Sequence, residues 1–516
     1  MSIINQFYNA IKHDGVPREN FHLSEVKYKV QSSKERGFDK LPPRKKHFKK
    51  GKPNQILRIV KPFREFMHYE SSGGLILLSC VVIALIITNL PFGQIYLMLW
   101  ETNLGVTIGP LSIEHTLSFW VNDLLMVIFF FLIGLEIKRE VLIGELSIPV
   151  NAITPILAAL GGMIVPASIF MVFNPPGSPG ANAWAIPIAT DIAITLGILS
   201  VFGNKIPTSL KIFITTLAIV DDIGGVLVLA IVYSHGISIV HLAFAALIFV
   251  LLVAINRIGV RQILPYVILG IFLWFEFLLS GVHPTIAGIL IALTIPATTR
   301  IDVEEYSAIS TELVGRINTI ILQEPEGRDT VLIHNLSKTL EVACKDIEAP
   351  LQQAEHSLTK WLAFVIVPIF ALANAGIALG GIEGELLVGP VPIGIFLGLV
   401  IGKPVGVILA VWIGVKLNVV KLPQDVNWEM LVASAILTGI GFTISTFIAS
   451  LAISEINLLA ASKVAILLAS FVSGCLGFFT LKHVLRKREI ASIPYIPSEI
   501  PGTPNIIIHT EKPEQD

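Results

Sequence analysis

The stretch TLAIVDDIGGVLVLAI, residues 216–231, places two aspartates side by side inside an apolar run that is long enough to cross a bilayer. A carboxylate at the centre of a bilayer costs at least ~2.5 kcal/mol on insertion scales. Asp221 and Asp222 therefore indicate a function that requires two ionisable groups inside a membrane.

The composition of the whole chain is typical of a polytopic membrane protein. Of its 516 residues, 53% are hydrophobic and only 15% are charged, and the mean hydropathy is +0.75. Soluble proteins carry far more charge. The net charge of −1 predicts no nucleic-acid partner. The three cysteines predict no disulfide framework.

Apolar runs of about twenty residues predict an all-α membrane protein with about twelve transmembrane helices. The runs are 73–92, 118–137, 150–172, 183–202, 209–233, 238–256, 263–280, 283–297, 361–380, 392–415, 429–451 and 460–481. They define a membrane domain over 66–485 with a cytoplasmic insertion at 298–360. A basic segment, 1–65, precedes this domain, and a Pro-rich tail over 486–516 is predicted to be disordered.

The positive charges between the apolar runs predict the orientation. They fall on the side of the N-terminal segment: Lys138, Arg139, Lys205, Lys211, Arg257, Arg261, Arg300, Lys416, Lys421 and the run KHVLRKR that follows the last span. The opposite side carries almost none, with Lys463 as the exception. By the positive-inside rule, both termini are cytoplasmic and the protein is multi-pass.

Two loops are predicted to have structure of their own. The loop 92–117 contains VTIGPLSIEH, two alternating runs around Gly109-Pro110, which predicts a short external β-hairpin. The insertion ends with apolar residues spaced four and three apart from Leu332 to Leu358, which predicts an amphipathic helix leading into the ninth span. We interpret it as a surface helix that covers the bundle, since the pattern is too short for a coiled coil.

Four ionisable groups share roughly one depth in the predicted spans: Asp191, Asp221, Asp222 and Lys403. Each alone could be a buried group that helps helices choose partners. Together they indicate an ion or proton path. Three carboxylates and one ammonium leave excess negative charge, which requires protons or a bound cation. Adjacent helical residues point about 100° apart, so that one aspartate can pair with Lys403 while the other faces a cavity.

Two of the predicted spans contain residues that interrupt helices. Pro187 precedes Asp191 by four residues, and the eleventh span contains Gly439 and Gly441 within TGIGFTIST. Interrupted spans place the partial charges of helix ends at mid-membrane. The glycines alone are equally consistent with close helix packing. Thr190, Asp191 and one of the paired aspartates would offer hard oxygen ligands suited to Na⁺ or Li⁺.

Seven segments, in order, resemble the NhaA-type sodium/proton antiporters over about residues 65–485: FFFLIGLEIKRE, IPIATDIAITLG, LAIVDDIGG, SGVHPTIAGI, PIFALANAGI, IGKPVGV and GIGFTISTFIASLA. The resemblance implies inverted repeats, two discontinuous helices that cross, and electrogenic, pH-regulated export of Na⁺ and Li⁺ in exchange for H⁺. It also implies a bacterial inner membrane, a homodimer that forms through the 92–117 hairpin, no cofactor, and no enzymatic activity.

The resemblance also assigns roles to individual residues. Asp222 resembles the ion-binding aspartate of the family, Asp221 its partner in an ion pair with Lys403, and Thr190 with Asp191 the helix crossing. The implied Na⁺ ligands are Asp222, Asp221 and Thr190. Whether Lys403 carries protons or only balances the charge of Asp221 stays open. A cytoplasmic cluster linked to pH regulation corresponds to Glu136, Lys138, Arg139, Glu140, Glu355 and His356. Asp123 matches a further acidic position near the outer end of the second span.

The chain departs from the family pattern at several places, so the resemblance does not fix the pH range of activity. The basic N-terminal segment, the Pro-rich tail and the 298–360 insertion exceed the compact pattern. Thr359 and Lys360 stand before Trp361 where the family has His-Pro-Trp.

Two other function classes fit part of the sequence. An intramembrane aspartyl protease needs two aspartates from different helices, and the Gly-x-Gly-Asp motif of presenilin-like enzymes is absent. A membrane sensor or scaffold would use the long loop and tails, and it would carry no ion flux that depends on Asp222.

Overall fold

The computed structural model describes residues 72–108, 111–234, 236–299, 301–323, 330–382, 384–422 and 425–492. The predicted N-terminal segment 1–65 and most of the predicted tail 486–516 lie outside these ranges.

The described chain is almost entirely helical. Its helices are α1 (Ser72–Thr88), α2 (Gly93–Glu101), α3 (Leu117–Leu142), α4 (Pro149–Phe173), α5 (Ile192–Val201), α6 (Thr208–Val232), α7 (Ile239–Ile258), α8 (Ile263–Ser280), α9 (Thr285–Thr294), α10 (Val303–Gln323), α11 (Thr330–Asp346), α12 (Pro350–Trp361), α13 (Val367–Ala375), α14 (Pro390–Leu397), α15 (Lys403–Lys416), α16 (Trp428–Leu437), α17 (Phe442–Ala452) and α18 (Ile456–Ser492). A 3₁₀ segment, Ala181–Ile188, precedes α5.

Nine helices in the described part of the chain are long and apolar enough to cross a membrane. The number rises to 11 if two bent pairs, α1 with α2 and α16 with α17, each form one span. The pairs bend by 113° and 45°. The short apolar helix α9 lies where the eighth span is predicted. The chain is therefore a multi-pass membrane protein.

The loop between α2 and α3 contains two strands, β1 (Asn103–Ile108) and β2 (Leu111–Thr116). They pair antiparallel, with Asn103 opposite Thr116 and Ile108 opposite Leu111. This small sheet leads directly into α3.

The insertion at 298–360 differs from the prediction of one amphipathic helix over 332–358. The apolar residues are divided between α11 and α12, because Pro350 lacks a backbone N–H and begins a new helix. Leu351 and Ala354 are buried, whereas Leu332 is 43% exposed. A further helix, α10, packs on α11.

The helices pack as two groups. In the first group, α4 packs along α15 and α6, and α18 packs on α14, α16 and α17. The 3₁₀ segment packs on α4 and α17. In the second group, α3 packs on α9 and α12, α7 and α9 pack on α8, and α13 packs on α1. Within the second group, α3, α7, α8, α9 and α12 share an apolar core, which includes Leu135, Leu252, Leu273, Ile295 and Leu351. The buried residues of α1 and α13 pack in cores that also contain residues of the first group. The groups meet where α1 contacts α5, α3 contacts α6 and α13 contacts α17.

Candidate functional site

Two helix breaks lie against each other at the centre of the first group. One is the non-helical turn around Thr190, between the 3₁₀ segment and α5, and the other joins α16 to α17. The backbone N–H of Asp191 donates to the carbonyl of Ile440 at 2.6 Å, and the hydroxyl oxygen of Thr190 lies 3.2 Å from the carbonyl oxygen of Thr438. The single proton of that hydroxyl is shared with a closer acceptor, Oδ2 of Asp221 at 2.8 Å. The two breaks therefore bond directly to each other, as buried backbone requires.

Glycines allow the two breaks to approach closely. A Cβ atom at Gly441 would lie 2.8 Å from the carbonyl oxygen of Ala189, and one at Gly439 would lie 2.5 Å from that of Leu399. Both distances are too short for any larger residue unless the backbone shifts. The sequence leaves two interpretations of these glycines open, namely that they interrupt the helix or that they allow close helix packing. In the structure, both occur at the same residues.

The carboxylate of Asp191 connects the first turns of two helices. One oxygen accepts from the N–H of Ile194 in α5 at 3.1 Å, and the other accepts from the N–H of Thr443 in α17 at 3.2 Å. Helix N-termini carry partial positive charge and stabilise a carboxylate. Asp191 is 2% exposed, and it holds the two broken segments together.

The pairing of Lys403 with Asp221 joins α15 to α6. The ammonium lies 2.8 Å from Oδ2 of Asp221, and both side chains are fully buried. The same oxygen accepts from the Thr190 hydroxyl at 2.8 Å. Lys403 also donates to the carbonyl of Ile188, at the end of the 3₁₀ segment. The ion pair is thus also hydrogen-bonded to the helix break, through the hydroxyl of Thr190 and the carbonyl of Ile188.

Small residues bring Lys403 to this position. A Cβ atom at Gly161 of α4 would lie 2.2 Å from the carbonyl oxygen of Gly406. One at Gly162 would lie 3.9 Å from Cγ of Lys403 and 4.0 Å from Oδ1 of Asp221. The contact between α4 and α15 therefore excludes larger side chains and fixes the lysine beside the aspartate.

Asp222 lacks such partners. Among the described residues, none donates a hydrogen bond to either carboxylate oxygen of Asp222 or to Oδ1 of Asp221. Asp222 is only 2% exposed. A buried carboxylate without donors is stable only when it holds a proton or a cation. Asp222 is therefore the group in this cluster best suited to exchange one for the other.

A cavity of about 380 Å³ leads to these groups. Its polar lining comes from Glu136, Thr190, Asp191, Asp222 and Thr443. At its other end it is lined by Thr359 and Lys360, which are exposed. The cavity thus joins the buried carboxylates to one face of the protein. In the part of the chain that the structure describes, no three His, Cys, Asp or Glu side chains form a group that could hold a metal ion.

The six residues of the predicted regulatory cluster are divided among three places. Arg139 lies 3.1 Å from Glu140 and 3.4 Å from Glu355, and His356 lines the same surface cavity as Arg139. Glu136 lines the central cavity instead. Lys138 donates to the carbonyls of Leu293 and Ile295. It therefore stabilises the C-terminal end of α9, where carbonyl groups lack helical partners.

Asp123 lies in a π-helical turn of α3, Trp120–Leu125, away from the paired aspartates. Its Oδ1 is 3.6 Å from Nε2 of His283, which lies between α8 and α9. The sequence gives no sign of the backbone groups that complete the site, the N–H of Thr443 and the carbonyl of Ile188, because any residue type supplies them. His283 lies in the segment SGVHPTIAGI and could have been singled out there.

Comparison with known proteins shows the family to which the chain is similar. The pattern of the family described as Na⁺/H⁺ antiporter 1 matches residues 64–481. A relative from Oleidesulfovibrio alaskensis, named Na(+)/H(+) antiporter NhaA, is 41% identical over 442 residues, which cover 85% of this chain and 97% of the relative. Antiporters of the same name from a Shewanella strain and from Pelagibacter ubique are 41% and 39% identical, and 100% of each relative is covered. The resemblance is therefore confirmed, and the chain belongs to the Na⁺/H⁺ antiporter 1 family.

Proposed function

We propose that this transporter exchanges Na⁺ for protons across a membrane, and that Asp222 is the group for which the two ions compete. One observation carries the proposal: a buried carboxylate without a hydrogen-bond donor among the described residues lines a cavity that reaches the protein surface. Membership of an antiporter family makes the chain a transporter rather than an enzyme.

Competition at one site is sufficient for exchange. A desolvated carboxylate must be neutralised, and either a proton or Na⁺ can do so, but not both at once. If the cavity opens to one side at a time, each ion leaves only when the other replaces it. Rocking of the first helix group against the second would alternate the opening. The inward proton gradient would then drive the export of Na⁺ as secondary active transport.

The Na⁺ ligands in this proposal are Asp222, Oδ1 of Asp221 and the hydroxyl of Thr190. Oxygen ligands suit Na⁺ and Li⁺ alike. A cation at this place lies next to the ammonium of Lys403, and repulsion in a low-dielectric site favours release of a proton from the lysine. One proton from Asp222 and one from Lys403 for each Na⁺ would make the exchange electrogenic.

Regulation by pH is assigned to Glu136, Lys138, Arg139, Glu140, Glu355 and His356. The ion pairs between Arg139 and its two glutamates lie beside the cavity that contains His356. Protonation of these groups would weaken the pairs. Glu136 lines the ion path itself. Lys138 acts in this proposal by holding α9 against α3.

The finer architecture belongs to the same proposal. It comprises twelve spans arranged as inverted repeats, with the two broken helices crossing at Asp191 and both termini in the cytoplasm of a bacterium, below its inner membrane. Two copies associate through the 92–117 hairpin. The transported ions are the only small-molecule partners, and no cofactor takes part.

The test is Asp222→Asn, because an amide keeps the shape of the side chain and loses the charge that holds the cation. The matched control is Asp302→Asn, at an exposed position just before α10. In everted vesicles, addition of Na⁺ should dequench a pH-sensitive dye for the control and leave the signal unchanged for Asp222→Asn at equal protein amounts. Normal exchange by Asp222→Asn would refute the assignment. If the parent chain also showed no Na⁺-dependent proton movement, the result would favour a sensor or scaffold.

A further inference from the structure

A chain of hydrogen bonds connects α18 to the beginning of α3. The ammonium of Lys463 donates to Oδ1 of Asn374 at 3.3 Å, and Nδ2 of Asn374 donates to Oδ1 of Asn122 at 2.7 Å. Nδ2 of Asn122 lies 3.4 Å from the hydroxyl of Ser118. We name these three residues, Lys463, Asn374 and Asn122, the polar bridge.

The direction of these bonds follows from the lysine. An ammonium only donates hydrogen bonds, so the carbonyl oxygen of the Asn374 side chain must face it. The amide nitrogen then faces Asn122, and it also donates to the carbonyl of Phe370 at 3.1 Å. Within the described residues, no carboxylate lies within ion-pair distance of Lys463. The buried amide of Asn374 is thus held by bonds on both sides.

The polar bridge crosses between the two helix groups. Lys463 belongs to α18 in the first group, whereas Asn374 and Asn122 belong to α13 and α3 in the second. An aromatic contact crosses between the same groups: the ring of Phe447 in α17 lies 5.4 Å from the ring of His283 and 5.8 Å from that of Phe130. Both Phe447 and Phe130 are buried.

These contacts lie toward the end of the bundle opposite the mouth of the cavity. Asn122 and Glu136 are separated by fourteen residues of α3, which corresponds to about 20 Å along a helix. Glu136 lines the cavity, and Arg139, one turn further along α3, lines a surface cavity together with Thr359 and Lys360, the exposed lining residues of the central one. Phe130 lies between Asn122 and Glu136 in α3. Phe447 follows Thr443, whose N–H binds Asp191, by one helical turn. The bridge and the aromatic contact therefore close the side that the cavity does not reach.

We propose that the polar bridge is a latch, which keeps the two helix groups together at the closed side while the cavity is open, and which separates when the site turns to that side. The inference rests on the proposed exchange mechanism. An ammonium bound to a neutral amide suits a contact that must open in every cycle, because a carboxylate in place of Asn374 would form a buried ion pair that is harder to break.

The test measures access to the closed side and does not require transport. Thr446 is buried, and it lies in α17 one turn beyond Thr443 on the same face. Thr446→Cys would be introduced after Cys80, Cys344 and Cys475 are replaced by Ala. Cells that express the protein are then treated with a membrane-impermeant thiol reagent, and the labelling rate of the new cysteine is measured.

Lys463→Met should raise the labelling rate by roughly tenfold, since a hydrogen bond to a charged group commonly contributes that much to an equilibrium. Lys463→Arg retains the donor and should label at nearly the parent rate. The matched control, Lys482→Met, changes an exposed lysine of the same helix and should have no effect. An unchanged rate in folded Lys463→Met, or an equal rise in Lys482→Met, would overturn the latch.

A second variant decides the question if Lys463→Met fails to fold. Asn122→Ala removes the acceptor of the Asn374 amide at 2.7 Å and should raise the labelling rate above that of the parent. A rate at or below the parent value would contradict the proposal. The two proposals fail separately. Normal exchange by Asp222→Asn would refute the exchange site, whereas an unchanged labelling rate in Lys463→Met, while Asp222→Asn loses exchange, would refute the latch alone.

Discussion

Removing the ammonium of Lys403 is expected to strand the carboxylate of Asp221. In Lys403→Ala, a fully buried carboxylate loses the partner at 2.8 Å and keeps one donor, the hydroxyl of Thr190. The carbonyl of Ile188 loses its donor at the same time. Breaking one side of a buried ion pair typically costs ~3–5 kcal/mol. This loss is comparable to the whole stability margin of many proteins, which is about 5–15 kcal/mol.

The double variant Asp221→Asn/Lys403→Gln removes both charges and keeps polar groups that can bond to each other. Replacing a buried pair with well-packed apolar residues is often close to neutral for stability, and an amide pair likewise leaves no uncompensated charge. We expect the double variant to recover most of the ~3–5 kcal/mol that the single variant loses. The difference between the two variants isolates the uncompensated charge, since both lack the ammonium.

Two measurements apply to each variant. Heating detergent-solubilised protein and following the folded fraction by size-exclusion chromatography gives the stability order. Current recordings from proteoliposomes on a solid support, combined with Na⁺ uptake, give the net charge moved per Na⁺. If Lys403 carries the second proton, the double variant should exchange Na⁺ for one proton, with no net charge movement.

Two results would contradict this reasoning. Equal heat stability of Lys403→Ala and the parent would mean that Asp221 is not held as a buried anion. If an active double variant moved the same net charge per Na⁺ as the parent, Lys403 would be a fixed counter-ion and would not carry a proton.

Two further predictions concern regulation and packing. Glu140→Gln and His356→Ala should shift the pH at which dye dequenching appears more than they lower the maximal signal, because these residues lie outside the cavity that holds Asp222. The control is Glu312→Gln, at an exposed position. An equal loss of signal at every pH in Glu140→Gln and His356→Ala would refute a regulatory role. Gly406→Ala should reduce heat stability by about 1–3 kcal/mol, because its Cβ would lie 2.1 Å from the carbonyl oxygen of Gly161. Gly225→Ala meets no atom within 4 Å and should not reduce it.

The sequence was sufficient to predict a helical membrane protein of this family. Membrane crossing depends on the apolar content of about twenty consecutive residues, which is a local property. The residues near Thr190 and Gly439 also signal the helix breaks locally, through Pro187 and the glycines. The boundaries within the insertion were predicted less well, since the apolar spacing continues across 347–349 while the helical backbone is interrupted there.

The sequence by itself determined that Asp221 and Asp222 point in different directions, because adjacent residues of a helix are about 100° apart. Helix geometry alone leaves open which of the two meets Lys403. The resemblance assigns Asp221, and in the tertiary structure the ammonium lies 2.8 Å from Asp221. The rotation of α6 depends on its packing against α4, and the position of Lys403 depends on the contact between Gly161 and Gly406. The same reason applies to Lys138, which the structure directs to the end of α9, and to Lys463, which it joins to Asn374. Residues distant in the chain make these contacts, and no local pattern specifies which ones meet.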